Sequence, residues 1–167
     1  CTANAIVAQL GLKLSDLMPG HQPTKPRRRA AKPKAPKLYA TPADALAQLE
    51  RMHGKHTAMW SYRDGSGEPI GLVVRWDTPD GKDIRPVSRH RTGWIIGGMP
   101  EPRPLYGLPE ILADPSSRIY VCEGEKVADA ARSVGLLATT SPHGSKSANK
   151  ADWLPLAGRD VVILRSE

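Results

Sequence analysis

The chain has 167 residues with four Trp, four Tyr and no Phe, so one or two small domains built on Leu, Ile, Val and Ala are expected rather than a single large core. Its formal net charge of +7 favours a polyanionic partner, a solvated basic surface being the plain alternative. Two cysteines, Cys1 and Cys122, make no disulfide framework and fit a reducing, cytoplasmic compartment, while no apolar run is long enough to span a bilayer.

The opening "CTANAIVAQLGLKLSDLMP" (1–19) reads as a short helix capped by Thr2, with an apolar face of Ala5, Ile6, Ala8 and Leu10 and a stop at Gly11. That segment is too small to cover its own apolar face. Together with the start on Cys rather than Met, this gives the expectation that the chain is a piece of a longer protein. Residues 20–37 are rich in Pro, Lys and Arg and hold no acid and no aromatic; they read as an extended, self-repelling linker able to touch phosphates.

From residue 38 to 110 a helix followed by a β-meander is expected. "TPADALAQLERMHG" carries a Thr41 cap, Pro42 at the first helical position, a stripe of Leu46, Leu49 and Met52, and a stop at Gly54. His53 lies near its end as a capping residue. The period then changes to two: "TAMWSY", "GLVVRW", "KDIRPVS" and "GWIIGG" read as antiparallel strands joined by turns rich in Gly, Asp and Pro. Trp60, Tyr62, Trp76 and Trp94 alternate there with Arg63, Arg75, Lys82, Arg85, Arg89, His90 and Arg91. Aromatics among cations can stack bases while the cations hold phosphates, or they can simply be the core. "EPRPLYGLPEILAD" reads as an irregular crossover.

Residues 111–167 alternate strand and helix: "RIYVC", then "EKVADAARSV" closed by Gly135, "LLATTS", a short helix in "NKADWLPLA", and "DVVILR". Strand–helix–strand spacing of this kind makes a parallel unit, with strands buried on both faces and sites at their carboxyl ends. The fold class is therefore α+β: a small antiparallel meander plus a parallel α/β unit. Glu123 and Gly124 fall at one strand end, and "SPHGSKSANK" comes after the next strand on the same edge. An acid there fits the first turn of a helix electrostatically; it also fits a ligand for Mg²⁺, a hard cation that takes oxygen donors.

"YVCEGEKVADAA", "ATTSPHGSKSANKADW" and "LAGRDVVIL" resemble the TOPRIM domain of bacterial-type and phage or plasmid DNA primases, most specifically over 118–164. The resemblance implies metal-dependent nucleotidyl transfer, with Glu123 as the family's acid and Mg²⁺ or Mn²⁺ ligand, Gly124 as its partner, and Asp129 as the helix acid. The opening segment is similar to the stretch after the last zinc-ribbon cysteine in such primases, which implies Cys1 as a Zn ligand in the longer protein. The family's Asp-x-Asp pair is expected after "ILR"; this chain reads Arg165, Ser166 and Glu167 there. Lys126, Lys146 and Lys150, with Arg75 and Arg85 from the meander, are the expected contacts to nucleotide or nucleic acid. Implied partners are a single-stranded DNA template, ribonucleotides and a replicative helicase in cis or trans. The alternatives are another TOPRIM enzyme (a nuclease or topoisomerase) and a non-catalytic nucleic-acid-binding module.

Overall fold

Thr41 starts the first described helix by a reciprocal cap. Its hydroxyl accepts from the Asp44 amide at 3.1 Å, and the Asp44 carboxylate accepts from the Thr41 amide at 3.0 Å. This helix, α1, spans Pro42–His53 and ends at Gly54, whose φ of +82° suits a residue without a Cβ. The computed structural model describes residues 35–164, without the side chains of Ser145 and Lys146. The chain divides into two units, Cys1–Ala35 and Pro36–Glu167, and the described helices and strands belong to the second. The expected opening helix and most of the basic linker lie outside the described residues.

Four antiparallel strands come next, in the order of the chain: β1 Ala58–Arg63, β2 Pro69–Thr78, β3 Gly81–His90 and β4 Gly93–Ile96. Strand alternation sends neighbouring residues to opposite faces. Leu72, Val74 and Trp76 of β2 join Val87 and Trp94 against Ala45 and Leu49 of α1. Val73 joins Trp60, Tyr62 and Met99 on the other face. The unbroken run Gly71–Val74 in β2 is thus explained by a strand buried on both sides. Gly71 is required by close approach, since a Cβ there would meet the Met99 sulfur at 2.4 Å. The stripe on α1 differs from expectation at its end. His53 turns to the sheet, its ring 5.3 Å from Trp76, and Met52 is left 64% exposed.

The segment expected to be irregular contains a helix, α2, at Leu108–Ala113. Gly107 precedes it at φ +70°, Pro109 sits in its first turn, and Ile111 is fully buried. The boundary expected at 110/111 therefore falls inside one helix. Three parallel strands complete the fold: β5 Ile119–Val121 in the middle, flanked by β6 Leu137–Thr139 and β7 Val161–Ile163. Helix α3, Glu125–Ser133, connects β5 to β6 and turns back at Gly135, φ +85°. The single short helix expected around "NKADWLPLA" is two 3-10 turns, Ser145–Lys150 and Leu154–Leu156, broken where Ala151 pairs with Arg103. The α+β class holds, with one antiparallel and one parallel sheet.

The parallel sheet buries Ile119 with Leu105, Ile111 and Leu156, and packs Ala128 and Ala131 of α3 with Cys122 and Ala138. The small alanines let a short helix sit close to short strands. β7 departs from the expectation of a strand buried on both faces: Val161 is 37% and Ile163 67% exposed. It is an edge strand, and beside it lies an apolar cleft of about 450 Å³ lined by Val121, Trp153, Leu156, Val161, Ile163 and Leu164. The two sheets are joined by polar aromatics. Trp60 donates to Asp129 at 2.7 Å, Tyr106 donates to the same carboxylate at 2.8 Å, and Tyr62 donates to Glu125 at 2.8 Å.

Candidate functional site

The acidic point is built from the backbone outward. The Cys122 amide donates to Thr139 O at 2.8 Å, which keeps the chain on the β5–β6 ladder until the residue before Glu123. Gly124 then adopts an extended conformation and caps α3 with its carbonyl, which accepts from Val127 and Ala128 at 3.1 and 3.0 Å. Glu123 is consequently exposed at the carboxyl edge of the central strand. On the same edge the loop after β6 turns through His143 and Gly144, at φ +67° and +69°. A Cβ on Gly144 would lie 3.4 Å from the Glu123 carbonyl, so the two loops touch through their main chains. The expected placement of Glu123 beside the "SPHG" loop holds.

Glu125, two residues on, has a different environment. It is 7% exposed and accepts the Tyr62 hydroxyl. Burial pushes its carboxyl above the ordinary carboxylate range. Burial, followed by the adjacent Glu125, pushes the Tyr62 hydroxyl far up as well. Tyr106, which donates to Asp129, is raised to about 12 by burial and that hydrogen bond. Glu125 and Asp129 thus hold the meander to α3. The acid at 129 is an anchor for Trp60 and Tyr106 rather than a member of a carboxylate cluster at Glu123.

Between the meander and α3 runs a groove of about 520 Å³. Glu123, Gly124 and Lys126 line it on the helix side, and Trp60, Val73, Arg75, Lys82 and Ile84 on the sheet side, with His143 and Gly144 also on its wall. Strand register explains which cations arrive. Arg75 faces Ile84 and Asp77 faces Lys82 across the β2–β3 ladder, whereas Arg85 is opposite Val74 on the helix-covered side. The structure therefore brings Arg75, Lys126 and Glu123 together and separates Arg85 from them. Arg85 pairs with Asp83 at 3.0 Å instead. Lys150 also lies apart, its ammonium 3.0 Å from Glu101. The Lys146 side chain and Cys1 are outside what is described.

Arg75 is held by Asp77 at 2.6 Å, and that bond is the main cause of the depressed Asp77 carboxyl. Lys82 is a groove residue that composition alone does not single out, although hairpin register carries the signal. A turn over Pro79 and Asp80 pairs Thr78 with Gly81 and sets Lys82 on the face of Arg75. His143 packs its buried Nε2 near Gly98 and Arg103, without a hydrogen-bond partner among the described residues. Burial, then Arg103 and Lys150, hold its imidazole below the usual histidine range. The Trp residues of the meander are core: Trp60, Trp76 and Trp94 are 7%, 4% and 9% exposed. Two of them spend their indole N–H inside the protein, on Asp129 and on Gly54 O.

Among the described residues no group of three His, Cys, Asp or Glu side chains is placed to hold a metal ion. Among them, too, no helix is long and apolar enough to cross a membrane. No protein-family model, curated protein or solved structure matches this chain.

Proposed function

We propose that this chain is part of a DNA primase, a cytoplasmic enzyme that makes RNA primers on single-stranded DNA, in concert with a replicative helicase in cis or trans. The observation that carries the reading is Glu123: an exposed carboxylate at the carboxyl edge of a parallel sheet, with a glycine after it, facing a groove walled by Arg75, Lys82 and Lys126. Strand ends of this kind are where open parallel sheets bind ligands. The reaction joins the 3′-hydroxyl of one ribonucleotide to the α-phosphorus of the next triphosphate; the hydroxyl loses its proton and pyrophosphate leaves. Cations in the groove favour the phosphates and a carboxylate favours proton transfer.

The reading implies Mg²⁺ or Mn²⁺. Glu123 alone would supply a small part of an octahedral oxygen shell, and Glu125 is buried on Tyr62, so the described residues do not complete a divalent-cation site. Zn is implied only through Cys1, outside the described residues.

The test is incorporation of labelled ribonucleotide on a single-stranded template. The 167-residue chain should make no primer. A chain extended past Leu164 to include an Asp-x-Asp pair should make primers with Mg²⁺, and Glu123→Gln in it should lower the rate by about a hundredfold or more. Full incorporation by the Glu123→Gln chain would remove Glu123 from the mechanism.

A further inference from the structure

We infer that His143 is a proton-operated latch: its neutral ring seats the loop after β6 on the segment 97–103, and protonation releases that loop from the edge of the groove. The latch is a property of the fold and does not depend on the chemistry proposed for Glu123. Among the described residues, His143 is the one residue other than glycine with a positive φ, +67°. A residue with a Cβ enters that region at a cost and stays there when its surroundings hold it. The ring supplies the hold. Its Nε2 is buried and lies 3.9 Å from where a Cβ on Gly98 would stand, so the imidazole packs against the segment after β4. Gly144, next in the chain, touches the main chain at Glu123, and His143, Gly144 and Glu123 share the groove wall. What happens to the ring is therefore felt at the acidic point.

The seat suits a neutral imidazole and opposes a charged one. Nε2 has no hydrogen-bond partner among the described residues. A proton added there would be a buried donor without an acceptor, beside the Arg103 guanidinium. Arg103 and Lys150 are the cations that face the ring, one from the segment after β4 and one from the first 3-10 turn. Both are tied to Glu101, at 3.5 and 3.0 Å, so that carboxylate is already shared. The Asp152 carboxylate accepts from the Leu154 amide at 3.0 Å. On the groove side stand Glu123 and the cations Arg75, Lys82 and Lys126, while Glu125 is engaged by Tyr62.

Burial, then Arg103 and Lys150, hold the imidazole below its ordinary value of 6.5. The folded chain thus binds fewer protons on this ring than the unfolded chain does. The ring's contribution to the seat is fully present above pH 6.5 and is lost as pH falls from there through the lowered value. Glu125, whose carboxyl is raised, works in the opposite direction.

The experiment is amide hydrogen exchange by NMR on the full 167-residue chain at about pH 7 and about pH 5, with the His143 ring resonances titrated on the same chain. Protection factors remove the intrinsic pH dependence of exchange. The Gly144 and Ser147 amides, bonded to Ser141 O and Gly144 O, should lose protection several-fold at the lower pH relative to Val74 in the middle of the meander. The loss should follow the His143 titration. His143→Asn tolerates a positive φ and carries no titratable ring, and should abolish the response; Glu125→Gln should leave it in place. His143→Gly, which suits the same φ, makes the comparison again if the Asn variant does not fold. A His143 ring that titrates at or above 6.5, loop protection that does not change with pH, or the same response in the variants without the imidazole would overturn the proposal.

Discussion

The antiparallel sheet packs one face against α1; on the other, its own Trp60, Tyr62 and Val73 pack with Met99 and Tyr106, and the groove stays open along Arg75 and Lys82. The parallel sheet is shorter and keeps an apolar cleft open along β7. The difference separates two jobs. The meander spends its large aromatics on packing, and its register delivers cations to one face. The parallel unit, built from three-residue strands and an alanine-faced helix, contributes the acidic point at Glu123 and Gly124. The groove exists only where the two meet, so the hydrogen bonds of Trp60, Tyr62 and Tyr106 to Asp129 and Glu125 set its geometry.

The largest effect is expected from breaking that joint on the meander side. Trp60→Ala removes a buried indole and its bond to Asp129, and should destabilise the fold by about 3–5 kcal/mol in a denaturant titration. A loss below about 1 kcal/mol would mean that the meander and α3 are coupled by something other than this contact.

Tyr62→Phe comes next, at about 1–3 kcal/mol, because it strips a buried carboxyl of its donor. Its size should depend on pH, with a sign fixed by Glu125. A carboxyl raised in the folded state binds more protons there than in the unfolded chain. Its contribution to stability is therefore present at low pH and is lost as pH rises from the ordinary value of 4.5 through the raised one. The penalty of Tyr62→Phe should grow over that window as a charge without its donor becomes buried. Glu125→Gln should flatten that part of the stability profile, and a profile unchanged above pH 4.5 would contradict the burial of an ionisable Glu125. The smallest effect is expected at the open face. Ile163→Ser, at a position 67% exposed, should shift stability by no more than about 0.5 kcal/mol.

Much of the fold is legible in the sequence because its signals are local. The Thr41 cap, Gly54, the two-residue turn at Pro79–Asp80 and the apolar run that ends at Glu123 each act within a few residues. The crossover reads as irregular because three prolines around 102–109 mask the short helix that Ile111 anchors by burial. The groove is only half visible. Tyr62 and Glu125 are 63 residues apart and Trp60 and Asp129 are 69 apart, distances at which periodicity says nothing about contact. Arg75 and Arg85 look equivalent as letters, yet the ladder pairing Arg75 with Ile84 puts them on opposite faces. Lys82 comes out of the same register once the hairpin turn is fixed. The open cleft beside β7 is hidden because an apolar run reads alike whether its strand is central or at an edge.

The central claim is that the two carboxylates of "EGE" divide their work, Glu123 at the groove and Glu125 inside the joint. The most direct measurement compares Glu123→Gln with Glu125→Gln for ribonucleotide incorporation and thermal stability, in a chain extended past Leu164 with an acidic pair. The account predicts that Glu123→Gln lowers incorporation by about a hundredfold with its stability unchanged. Glu125→Gln should keep incorporation and alter only how stability depends on pH. Incorporation lost with Glu125→Gln and kept with Glu123→Gln would contradict the account.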